Sequence, residues 1–88
     1  MKMIFAIIRD EDNEPVSKAL ISSGFRVTRI ASTGGFLRRG SSTLMIGLDD
    51  EKVDEAIQVI KHSTTPAEEP STKRATLFVL NVANFSQI

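Results

Sequence analysis

Cysteine is absent from the 88 residues, as are tryptophan and tyrosine. Without thiols there is no disulfide to staple a small core, and the composition suits a reducing compartment. Net charge is missing too: 11 basic residues balance 11 acidic ones. That removes the broad positive footprint of a protein that wraps DNA or lies on an anionic membrane, so any anionic partner must be met locally. Long apolar runs are lacking as well. The densest, Met3-Ile4-Phe5-Ala6-Ile7-Ile8, is too short for the core of a signal peptide or for a membrane span. These absences read as a soluble, cytoplasmic chain with no membrane partner.

Several chemistries lack their residues. His62 is the one histidine, and with no second histidine and no cysteine it makes no metal-ligand set; at a helix end it complements the dipole. The acidic group Asp10, Glu11, Asp12 and Glu14 lacks the glycine and spacing of a calcium loop, and helix capping and solubility account for it. No nucleophile is paired with a base, so the chain reads as a non-enzyme that needs no cofactor. What is present, 41% hydrophobic and 25% charged residues, is the composition of a globular protein. We expect a single domain over 1–88, burying about 60 to 65 percent of its unfolded surface if it folds alone.

The apolar run from Met3 to Ile8 reads as a strand buried on both faces. Asp12 or Asn13 can cap a helix over 14–23, where Val16, Ala19 and Leu20 form a stripe that stops at Gly24. Phe25 to Ile30 alternates as a second strand, with Phe25 and Val27 on one face and Arg26, Thr28 and Ile30 on the other. Thr43 to Leu48 is a third strand. Asp49 or Asp50 then starts a second helix carrying Val53, Ala56, Ile57 and Ile60 on one side. Residues 63–73 form an exposed connection rich in Pro, Ser and Thr. Lys73 and Arg74 read as an exposed basic pair, Ala75 to Val82 forms the last strand, and Phe85 is a tail residue expected to pack on the sheet.

The order βαββαβ, with right-handed crossovers, is the ferredoxin-like α+β plan: an antiparallel four-stranded sheet with two helices on one face. Two helices cover one face only, yet the first and last strands are apolar on both. A monomer would leave several hundred Å² of apolar sheet facing water, so the chain is expected to be a homo-oligomer.

The connection at 31–42 is long for a hairpin and holds Thr33-Gly34-Gly35-Phe36-Leu37-Arg38-Arg39-Gly40. Its glycines let a ligand approach bare backbone, its hydroxyls and arginines suit phosphate, and Phe36 offers a stacking face. It matches neither a Walker motif, which ends in Gly-Lys-Ser/Thr, nor a dinucleotide fingerprint, which sits between a strand and a helix. Alone it indicates a nucleotide only weakly.

Taken together, Met1 to Ile8, Gly24-Phe25-Arg26-Val27-Thr28, Ser32-Thr33-Gly34-Gly35-Phe36-Leu37-Arg38, Ile46-Gly47 and Val53-Asp54-Glu55 resemble the P-II-like cyclic-di-AMP receptor family over nearly the whole chain. The resemblance implies a signal-transduction receptor: a cytoplasmic bacterial homotrimer that binds cyclic di-AMP between subunits and rearranges its loops to address a downstream protein. Carried over, the ligand site comprises Arg26, Thr28, Gly35, Phe36, Leu37, Ser41, Gly47, Phe78 and Gln87. Ser41 stands where similar proteins usually carry Asn, and residues 63–73 form a shortened loop without that loop's aromatic residue. Two other readings stand beside this one: a P-II-like sensor of another adenine nucleotide, and an RNA-binding ferredoxin-like module. The latter would want several surface aromatics and a basic sheet face rather than a neutral chain.

Overall fold

The computed structural model describes residues 1–32, 40–66 and 73–88. Strand β1 spans Lys2–Arg9, helix α1 Asn13–Ser22, β2 Arg26–Ser32, β3 Ser41–Leu48, helix α2 Val53–Ser63 and β4 Ala75–Asn81. Short 3-10 turns at Asp10–Asp12 and Asp50–Lys52 lead into the helices. The strands form one antiparallel sheet in the order β2-β3-β1-β4. This is the ferredoxin-like βαββαβ arrangement, with both helices on one face.

Alternation selects that face. Ile4, Ala6 and Ile8 of β1 and Leu44, Ile46 and Leu48 of β3 are buried against Val16 and Leu20 of α1 and Ala56 and Ile60 of α2. Each large aliphatic chain so buried contributes about 1.5–3 kcal/mol. Phe25 is buried with them, and Val27, Ala75 and Leu77 pack at the margin.

Gly24 stops α1. Its φ of 92° is a left-handed conformation that costs other residues. From there its N–H donates to the Ile21 carbonyl and the N–H of Phe25 to the Leu20 carbonyl, both at 3.0 Å. That pair is the Schellman closure, completed by the apolar partners Phe25 and Leu20.

Three expectations change. The connection between β2 and β3 is shorter than 31–42, because Ala31 pairs with Thr43 and Ser32 with Ser42 in the ladder, past a bulge at Ile30. Pairing of Ser41 with Arg9 of β1 carries β3 equally far. Asp12 occupies the N-cap position of α1 but makes no side-chain cap bond; its carboxylate is taken by Thr65 and Arg9. Phe85, expected on the sheet, is 61% exposed, because β4 ends at Asn81 and the tail beyond has no regular structure.

Candidate functional site

Register places the side chains of the uncovered sheet face in rows. Directly paired residues of antiparallel strands share a face, so Arg26, Gly47, Met3 and Leu80 form one row. Thr28, Met45, Phe5 and Phe78 form the next, and Thr43, Ile7 and Thr76 a third. These rows contain one basic residue, Arg26, and no acid. Phe78 is 51% exposed and Leu80 46%, with Ile7 and Ile30 also standing out from the chain.

Arg26 and Thr28 are exposed on β2, as the alternation requires. Opposite Arg26, Gly47 contributes no side chain, and a Cβ there would stand 3.3 Å from the Met1 Cε. A cleft of about 350 Å³ opens at this corner, lined by Met1, Gly24, Phe25, Arg26, Gly47, Leu48 and Asp49. Among the described residues Arg26 makes no ion pair, so its guanidinium is available for a phosphate or carboxylate. Met1 was not singled out from the sequence, although it continues the alternation of β1 onto the face of Met3. Its amino group is held by Asp50 at 3.2 Å.

The remaining expected site residues fall into three groups. Gly35, Phe36 and Leu37 lie outside the described residues. Ser41 is half-buried at the start of β3, in the phase of Thr43 and Gly47. Phe78 shares a row with Thr28 but stands on the opposite edge strand, three strand spacings or about 14 Å away. Gln87 is exposed in the tail beyond β4. Arg26, Thr28 and Gly47 therefore gather at the β2 edge, whereas Phe78 stands on the β4 edge with Gln87 in the tail that follows it.

Both long connections are fastened to the turn after β1. The backbone N–H of Asp10 donates to the Gly40 carbonyl at 3.0 Å, and the buried Ser42 hydroxyl donates to the Asp10 carboxylate at 2.5 Å. Two residues on, the buried Asp12 carboxylate accepts from the Thr65 N–H at 3.0 Å and the Thr65 hydroxyl at 2.6 Å. The Arg9 guanidinium lies 3.1 Å from its other oxygen and also donates to the Thr65 carbonyl. Burial by itself would raise the Asp12 pKa, but the Thr65 donors and the Arg9 charge outweigh it and hold the carboxyl below its ordinary value. This network was missed in the sequence, where Asp12 reads as a helix cap.

His62 is exposed, with Nδ1 2.8 Å from the Gln58 carbonyl of its own helix. Among the described residues no cluster of His, Asp or Glu could hold a metal ion, and no helix is long and apolar enough to cross a membrane.

Among solved structures, the chain is similar to a functionally unknown protein from Pediococcus pentosaceus ATCC 25745, with 35% identity and a TM-score of 0.79 over 99% of this chain and 96% of that one. The family model described as cyclic-di-AMP receptor matches residues 1–73. That match takes in β1 through α2 and the glycine-rich connection, and by its extent the chain belongs to the cyclic-di-AMP receptor family.

Proposed function

We propose that this chain is a receptor that binds cyclic di-AMP in clefts shared between neighbouring copies of a homotrimer and passes the signal on through its two long connections. The observation that carries the reading is the division of the candidate site between opposite edges of one sheet. Arg26, Thr28 and Gly47 sit at the β2 edge, and Phe78 at the β4 edge. A head-to-tail ring brings the β2 edge of one copy beside the β4 edge of the next, and such heterologous contacts close into cyclic trimers. The same ring covers the exposed Phe78 and Leu80 and protects β4, an edge strand without a charge or a proline.

Within that cleft each residue type has a task. Arg26 supplies a forked donor for a phosphodiester, and the Thr28 hydroxyl donates a further hydrogen bond. Gly47 leaves room for the ligand against β3, and Phe78 offers an aromatic wall for adenine. Gly35, Phe36, Leu37 and Ser41 complete the site from the glycine-rich connection, and Gln87 reads an adenine edge with its amide. Ligand bound there bears on Gly40 and Ser42, which Asp10 ties to the turn that also holds Thr65. Loop rearrangement then reaches the second connection.

Parallel calorimetric titrations with cyclic di-AMP, ATP and cyclic di-GMP test the reading. Heat with cyclic di-AMP at one ligand per chain is expected, together with a trimer mass by light scattering. Heat with ATP alone would transfer the site to another adenine nucleotide, and a monomer mass would overturn the shared cleft.

A further inference from the structure

On the helix side of the sheet, away from the rows just described, a second cleft of about 370 Å³ lies between α2 and β4. We propose that it docks an acidic segment of a partner protein, anchored by an aliphatic side chain. Its apolar part is formed by Ile57, Ile60 and Leu77, and its rim by Lys61, Lys73 and Arg74. Among the described residues, none of those lining it is acidic and none of the three cations forms an ion pair. In a chain whose charges cancel overall, three unpaired cations around one concavity are a local complementarity to carboxylates.

The lining selects the class of occupant. Among the described lining residues no aromatic side chain is present to stack a base, and three cations are too few to follow a nucleic-acid backbone. A concave aliphatic floor receives an inserted side chain rather than a flat lipid surface. Leu, Ile or Met flanked by Asp and Glu satisfies both parts, an apolar anchor within a charged rim. Thr64 lines the same cleft and adjoins Thr65, which Asp12 holds, so the docking surface borders the tie between the two connections.

The test uses the full-length protein and a displayed library of random peptides, with selected sequences resynthesised carrying a fluorophore for anisotropy. Enrichment of Asp and Glu around an aliphatic residue is expected, with affinity falling about tenfold when Lys73→Glu and Arg74→Glu are combined. Both side chains are surface cations outside the core, so the melting temperature and the cyclic di-AMP titration should be unchanged. Methyl resonances of Ile57, Ile60 and Leu77 should shift on peptide addition while Ile7 and Leu80 stay in place. Peptides without acidic enrichment, equal binding to the charge-reversed protein, or shifts confined to Ile7 and Leu80 would each overturn the proposal.

Discussion

Asp12 and Thr65, 53 positions apart in sequence, are joined by two hydrogen bonds to one buried carboxylate oxygen. The pair links the start of α1 to the second residue beyond α2. Because the folded pKa of Asp12 lies below its ordinary value of 3.8, the stability it contributes is present in full above that value. It is lost as the pH falls from there through the lower folded pKa. Thr65→Val, which removes one donor from a buried acceptor, should cost about 1–2 kcal/mol at neutral pH. For Asp12→Asn, thermal melts followed by circular dichroism should show a loss relative to the parent at pH 7 that narrows below about pH 4. A constant difference across that range would assign the acid sensitivity to other groups.

Gly24 lies in open space, where a Cβ placed on it would meet no atom of the described residues within 4 Å apart from its own chain neighbours, but at φ 92°. Gly24→Ala therefore tests conformation free of packing. Destabilisation of about 1–2 kcal/mol is expected from the left-handed backbone alone. Chemical denaturation should report it as a lower midpoint with unchanged slope.

The strand faces were legible from the sequence because a period of two leaves no choice once Phe25 and Val27 turn inward. Arg26 and Thr28 must then turn outward, and the ladder places Gly47 beside Arg26. The network around Asp12 was not legible. Local chemistry makes an aspartate before a helix a cap, and only the packing of α1 beside α2 brings Thr65 within reach of it. Phe78 shows a third case: its outward face could be read, but its distance from Arg26 depends on the strand order β2-β3-β1-β4, which alternation does not encode. Phe85 has apolar character and no neighbouring strand to hold it, so composition alone misplaced it.

Arg26 and Gly47 should separate charge from space in the candidate site. Arg26→Ala should weaken cyclic di-AMP binding roughly 10- to 100-fold, the range for one hydrogen bond from a charged donor. Its exposure makes the effect on melting small. Gly47→Ala places a methyl 3.3 Å from the flexible tip of Met1, which can move aside, so stability should change little. Binding should still fall, because the methyl occupies the face beside Arg26. Calorimetry on both variants checks this, and undiminished affinity in both would move the ligand away from the β2 edge.

A site divided between edges can be rebuilt from two broken chains. Arg26→Ala damages the β2 half and Phe78→Ala the β4 half, so each variant alone should bind cyclic di-AMP weakly while light scattering still reports trimers. After the two are unfolded together in equal amounts and refolded, about a quarter of the interfaces should pair an intact β2 edge with an intact β4 edge, as random assembly of a head-to-tail ring requires. Calorimetry should then recover high affinity at about one quarter of the parental stoichiometry, because full affinity returns only where both halves are intact. A site contained within one chain would remain damaged in every subunit, and no high-affinity fraction would return. Recovery in the mixture, with none when separately refolded variants are combined without unfolding, would place Arg26 and Phe78 on opposite sides of one shared cleft.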